Sequence, residues 1–261
     1  MASKKDWQKS KTIYWKDELN DDFDEVGLER PEVPANYHYL RRTKVLSFIA
    51  YYLLGKPIMG LFCLLHGIRV VNKQHLKPLA KTGYFIYSNH VAISDVFKFQ
   101  TLAVGKKRVN IIGYSDALSL KGLRPLLRAF GYLPIPNDID NLKKLKDAVK
   151  HLVDHHEAVL IYPEAHIWPY YTKVRNFKSG SFNYPANSGA PVVPIVTTWR
   201  KPKIGKKPKQ TVLIGSPIFP KEELGVLDNK NYLYEECLNA MKRMSESVEQ
   251  FEYIKYIKKE S

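Results

Sequence analysis

From residue 68 onward the chain alternates short, wholly apolar β-rich runs with stretches of helical period, and this alternation restricts it to an α/β fold. The runs are IRVVN (68–72), YFIYS (84–88), VNIIG (109–113), YLPI (132–135), AVLIY (158–162), PVVPIV (191–196) and TVLIG (211–215). Several lack polar alternation, as strands covered on both faces do. Helical candidates lie between them. The clearest spans 140–155, where Leu142, Leu145, Val149 and Leu152 share one face and lysines take the other. The expected fold is therefore α/β, a mostly parallel central sheet flanked by helices, with a final helix over 230–257.

The chain has 261 residues and a formal net charge of +15. It is long enough to bury a core, and basic enough to need a polyanionic partner: nucleic acid, an anionic membrane surface or a phosphorylated substrate. The charge is uneven. Residues 1–36 hold six Lys/Arg and nine Asp/Glu, which leaves the remainder at +18. Residues 1–40 read as an acidic extended arm without apolar period, and the plainer reading of it is a solvated tail. Cys63 and Cys237 are too few for a disulfide framework or a Cys-based zinc site, and no secretory signal pattern opens the chain. A reducing cytosolic setting follows.

The most apolar part is VLSFIAYYLL (45–54) and IMGLFCLLHGI (58–68), interrupted by Gly55-Lys56-Pro57. Each arm is about half the roughly 20 residues that span a bilayer, and a charge mid-span is costly. Residues 41–68 are expected to be an N-terminal apolar two-helix membrane-binding element dipping into one leaflet, with Arg41, Arg42 and Lys44 meeting anionic headgroups. A pair of core helices and one kinked span are the alternatives. The mean hydropathy of −0.33 excludes a polytopic membrane protein.

Strand YFIYS runs into Asn89-His90-Val91-Ala92-Ile93-Ser94-Asp95, at the strand end where open α/β sheets place their sites. A five-residue separation does not put His90 and Asp95 on one helical face, but a turn into a helix start brings them together. An imidazole held in one tautomer by a carboxylate suits a general base for a hydroxyl. By spacing alone, the plainer reading is an N-cap at Ser94 or Asp95 and a polar loop histidine.

The segment NHVAISD resembles the first motif of the glycerolipid acyltransferase superfamily, in its lysophosphatidic acid acyltransferase type. Further segments are similar in order: GYLPIPN (131–137), with Asn137 where the family has arginine; Tyr162-Pro163-Glu164-Ala165-His166-Ile167, which keeps Pro-Glu but not the following Gly-Thr-Arg; FKSGS (177–181); and Val193-Pro194-Ile195-Val196. The resemblance covers residues 80–200 and implies a catalytic domain over 69–261.

It implies acyl transfer from acyl-CoA or an acyl carrier protein to the hydroxyl of lysophosphatidic acid, without cofactor or metal. His90 is then the general base and Asp95 its orienting acid. The substrate-binding candidates are Asn89, Glu164, His166, Arg175 and Lys178. Arg175 and Lys178 stand nearest the missing motif arginines, although a solvated basic loop explains them equally. The alternatives are the same chemistry on another lysolipid or a phosphate-free acceptor and, behind it, a non-catalytic basic protein that binds membrane or nucleic acid.

Basic clusters at Lys106-Lys107-Arg108, at Lys121, Arg124 and Arg128, and in RKPKIGKKPK (200–209) suit an anionic membrane surface or the CoA phosphates. His151, His155 and His156 have metal-ligand spacing but no carboxylate or Cys to complete a site. Trp168, Tyr170 and Tyr171 suit an acceptor entrance or the membrane interface, and equally simple packing. No zinc-finger, RNP or recognition-helix pattern supports nucleic acid. The expected location is the cytoplasmic face of a membrane, peripheral or monotopic.

Overall fold

The computed structural model describes residues 12–23, 29–40, 44–92, 94–95, 98–99, 107–120, 122 and 124–259. All seven apolar runs are strands of one sheet: β2 (Arg69–Val71), β3 (Tyr84–Ser88), β4 (Val109–Gly113), β5 (Tyr132–Pro134), β6 (Ala158–Ile161), β7 (Val192–Arg200) and β8 (Lys209–Ile214). Their order is β2-β8-β7-β3-β6-β4-β5. Every pairing is parallel except the β7–β8 hairpin.

The apolar runs are explained by cover on both faces. Successive side chains of a strand point to opposite sides. Phe85 and Tyr87 of β3, with Val159 and Ile161 of β6, pack on the Ile139–Asp154 helix and the C-terminal Val226–Glu246 helix. Tyr84, Ile86, Ala158 and Leu160 enter a second core with Leu76, Leu79 and Phe99. Gly83, just before β3, has no room for a side chain, because a Cβ there would collide with the Val153 carbonyl. This lets the central strand start directly under the Ile139–Asp154 helix.

Three expectations are corrected. The acidic arm is not a solvated tail. Its Thr12–Trp15 forms β1 and pairs in parallel with β9 (Lys255–Lys258), so the last helix stops at Glu246 and the chain returns as a strand. Ile13, Val33, Tyr37 and Tyr39 are buried. Trp168 is fully buried and clamps arm to body. Its ring meets Trp15 and Phe23 at 5.4 and 5.3 Å and lies parallel to Tyr256 at 5.2 Å, while Nε1 donates to the Asp21 carbonyl at 2.8 Å. Trp168 is therefore packing.

The apolar element is one helix, not two, and it follows a folded arm instead of opening the chain. Segments Lys44–Phe48, Ile49–Gly55 and Lys56–Leu65 run on as a single helix, π-wound in the middle. The Lys56 amide reaches back five residues to the Tyr51 carbonyl. Pro57 follows at the start of the next α-segment, where the wider π-wound turn behind it accommodates a residue without an amide. Over Val45–Leu65 this helix is long and apolar enough to cross a membrane. Tyr51 and Cys63 pack inward, whereas Val45, Leu61, Leu64 and Leu65 are exposed. Arg41 and Arg42 lie outside the described residues.

Replacing Trp168 with Ala should cost about 3–5 kcal/mol, since it removes a large, fully buried ring at the seam of arm and body. Denaturant unfolding checks this, and an unshifted midpoint would contradict the seam.

Candidate functional site

Because β3, β4, β5 and β6 are parallel, the turns that follow them share one edge of the sheet. There the structure gathers Asn89–Ala92, Ser94, Asp95, Tyr114, Ile135–Asn137 and Tyr162–His166. Asn89 sets the first turn. Its side-chain amide donates to the Thr197 carbonyl at 3.0 Å, and its oxygen accepts the Thr197 amide at 2.8 Å. It thus continues the β3–β7 ladder beyond the last backbone rung, Ser88 opposite Ile195. Both ends of the side chain are engaged with Thr197 rather than offered to a substrate.

The next residue is His90. Its Nδ1 lies 3.3 Å from Asp95 Oδ2, and its ring stacks on Tyr162 with centroids 4.2 Å apart. The same Asp95 oxygen accepts the amides of Val91 at 2.8 Å and Ala92 at 2.9 Å. The other oxygen binds the Lys98 ammonium. Lys98 is also completely buried, and it reaches Thr197 Oγ1 at 2.7 Å and Gln210 Oε1 at 3.3 Å. Burial alone would push the Asp95 carboxyl up, but the Lys98 charge and the His90 bond outweigh it and hold the carboxyl at about 2. Burial likewise pulls the Lys98 ammonium down, against the charge of Asp95. The Asp95 carboxyl is ionised at neutral pH.

Glu164, at the turn after β6, ties the site from the other side. One oxygen accepts the His90 amide at 3.1 Å and Arg175 Nη2 at 3.1 Å, and the second accepts the Arg175 amide at 2.9 Å. Three successive amides, His90, Val91 and Ala92, are thus bound to carboxylates. Arg175 is fully buried: it bonds the carbonyls of His166 and Glu18, and its guanidinium lies 4.7 Å over Trp168. In this position it supports Glu164 and the arm and does not face an incoming ligand. His166 of the third motif is mostly buried, and its Nδ1 lies 3.1 Å from Asp22 of the arm. Ala165 before it has φ +64°, a left-handed conformation that favours the glycine of the resembled motif. Lys178 is exposed and lies near Asp17, a carboxyl held below its usual range by the Asn20 side chain and, more weakly, by Lys178.

The other basic clusters divide. Lys107 donates to the carbonyls of Thr82 and His156 at 2.8 and 2.6 Å. Arg108 is buried under the apolar helix, 4.2 Å over Tyr51. Arg124 donates to the Leu118 carbonyl at 2.8 Å, and Arg128 lies 4.5 Å over Tyr37. These four are structural; Lys106 and Lys121 lie outside the described residues. The His151 and His155 rings meet at a tilt of 33°, with centroids 3.9 Å apart. Among the described residues, no group of three or more His, Cys, Asp or Glu is placed to hold a metal ion.

Beside the His90 turn, a cleft of about 380 Å³ separates the apolar helix from the β7–β8 hairpin. Val91, Ala92 and Ser94 form its floor, Phe62 and His66 one wall, and Trp199 and Lys209 the other. Sequence reasoning missed Lys98, Thr197 and Gln210. The one available signal was a lysine three residues after Asp95, in a stretch otherwise apolar.

A family model described as Acyltransferase matches residues 67–198, half of the chain. No curated protein matches. Nine chains of solved structures match. One is the crystal structure of the 1-acyl-sn-glycerophosphate (LPA) acyltransferase PlsC from Thermotoga maritima, 17% identical, covering 80% of this chain and 84% of that one, with a TM-score of 0.56. That likeness is one of fold.

The Asp95 carboxyl lies below its ordinary range, so its charge contributes stability that is fully present above about pH 4 and lost as the pH falls through about 2. Lys98→Met leaves burial opposed only by His90 and the turn amides. The acid-unfolding midpoint should rise, and stability at neutral pH should fall by about 3–5 kcal/mol. Circular dichroism during acid titration reads this directly; a variant that unfolds at the wild-type pH would show the pair to be inessential.

Proposed function

This chain belongs to the acyltransferase family, and on that premise we propose that it is a membrane-associated enzyme of lipid synthesis. It takes an acyl group from acyl-CoA or an acyl carrier protein and transfers it to the free hydroxyl of lysophosphatidic acid, giving phosphatidic acid. The observation that carries this reading is the His90–Asp95 pair at the carboxyl end of β3, inside the matched segment.

Asp95, ionised and able only to accept, favours the proton on His90 Nδ1 and leaves the Nε2 lone pair as the base. Nε2 takes the acceptor's hydroxyl proton as that oxygen bonds to the thioester carbonyl carbon, and the carbonyl electron pair moves to oxygen. Collapse of this adduct breaks the C–S bond, and the departing thiolate receives the proton from Nε2. Asp95 stabilises the imidazolium that forms between the two steps. The acceptor is itself the nucleophile, so no acyl-enzyme is needed. Both cysteines are buried, and burial pushes the Cys237 thiol up. The amides of His90, Val91 and Ala92 are bound to carboxylates, so the oxyanion must draw on other donors.

The cleft beside the His90 turn suits the acyl donor, with aromatic and aliphatic walls for the chain and Lys207 and Lys209 for anionic groups. The apolar helix suits a monotopic anchor at the cytoplasmic face of a membrane.

One observation favours a second acceptor. Arg175 is buried against Glu164, and His166 is paired with Asp22. The place that the resemblance gives to phosphate-binding arginines therefore holds His166 and, from the arm, Arg30, and both already share the Asp22 carboxylate, at 3.1 and 3.5 Å. This supports the same chemistry on a lysolipid with another headgroup, or on a phosphate-free acceptor.

Acyl-CoA and acyl carrier protein assays against a panel of lysolipids, following thiol release and acylated product, test the reading. Lysophosphatidic acid should be acylated, and turnover confined to neutral or zwitterionic acceptors would select the second reading. His90→Ala should lower kcat by about 10²–10⁴-fold with the fold intact; near-normal turnover would overturn the proposed base. Leu61→Ser, Leu64→Ser and Leu65→Ser together should release the protein from vesicles, and undiminished sedimentation would remove the helix as anchor.

A further inference from the structure

The antiparallel register of β7 and β8 ends with Arg200 opposite Lys209, so residues 201–208 form the turn of this hairpin. Six of the ten residues from Arg200 to Lys209 are basic and none is acidic. Arg200 is held at the root, where it donates to the Gly67 carbonyl just beyond the apolar helix. Among the described residues, no carboxylate pairs with Lys201, Lys203, Lys206 or Lys207. At the middle of the turn stands Ile204, 91% exposed and the most exposed large hydrophobic side chain described. Gly205, at φ +85°, turns the chain directly after it.

A single exposed aliphatic residue is ordinary; this one is ringed by cations and placed at the tip of a hairpin. Its neighbourhood is apolar as well. The root of the hairpin and the C-terminal end of the apolar helix face each other across one cleft, with Lys207, Pro208 and Lys209 opposite Phe62, His66 and Ile68. Leu64 and Leu65 are exposed at that end of the helix, at 76% and 70%.

We propose that the β7–β8 hairpin is a second membrane-contact point, with Ile204 entering the boundary between headgroups and acyl chains and the surrounding lysines resting on anionic lipid headgroups. The occupant is a bilayer rather than a soluble polyanion, because an aliphatic tip inside a cationic ring matches an apolar layer beneath a negative surface. The proposal rests on the membrane reading above and extends it. Two contacts, helix and hairpin, flank the cleft beside His90 and turn its mouth towards the lipid. A lipid substrate then enters without crossing water.

The test uses the full chain with an environment-sensitive nitrobenzoxadiazole label at Ile204→Cys, and separately at Leu64→Cys in the apolar helix. The unsubstituted chain, whose two cysteines are buried, serves as the labelling blank. With mixed phosphatidylcholine–phosphatidylglycerol vesicles, emission at position 204 should shift to the blue, and lipids brominated on the acyl chain should quench it. With pure phosphatidylcholine vesicles the change at 204 should be several-fold smaller. Emission at 204 that stays aqueous while position 64 is quenched overturns the hairpin contact and leaves the membrane reading standing. Silence at both positions overturns the two together. An equal response on neutral vesicles overturns the role of anionic headgroups.

Discussion

Asp95 carries a charge with no exposure to water, and the fold must supply everything that makes this tolerable. It does so from four places: the amides of the turn after β3, the His90 ring, the Lys98 ammonium and, through that lysine, Thr197 of β7 and Gln210 of β8. A buried carboxylate without a counter-charge would take up a proton and lose its hold on His90. Glu164 grips the same turn through the amide preceding those bound by Asp95, and Arg175 neutralises it in turn. Two buried ion pairs therefore fix one histidine. The strand order β8-β7-β3-β6 is what brings their members within reach.

Much of this architecture is legible locally. Strands buried on both faces leave unbroken apolar runs, so all seven sheet strands are visible in the sequence. His90 and Asp95 are visible through their turn and through the family resemblance. The partners that complete the site are not, because Thr197 and Gln210 lie 99 and 112 residues from Lys98. Periodicity carries no information about such pairings. Arg175 shows the opposite difficulty, since a charged residue in a basic loop reads as exposed until the fold buries it. The arm misleads for a related reason. Its anchors are scattered singly, Ile13, Val33, Tyr37 and Tyr39 among polar residues, and never form a period.

Gly55-Lys56-Pro57 is a further lesson in backbone accounting. A proline preceded by a charge reads as a break, yet a π-wound turn supplies the register in which the helix passes through it. One continuous apolar helix results, with Tyr51 and Cys63 against the body and a row of leucines outside. The basic surplus is distributed accordingly. Lys107, Arg108, Arg124 and Arg128 hold the protein together, and acids of the arm meet His166 and Asn176 near the third motif. Among the described residues, Lys201, Lys203, Lys206 and Lys207 of the β7–β8 turn meet no carboxylate.

The central claim is that Asp95 fixes the proton on Nδ1 of His90 and leaves Nε2 free to act as the base. Two-bond nitrogen–proton correlation spectra of ¹⁵N-histidine-labelled protein at high pH, with His90 assigned by its loss in His90→Asn, read the tautomer directly. The account predicts a protonated Nδ1 and an unprotonated Nε2 at this residue. A His90 ring that carries its proton on Nε2 would contradict it.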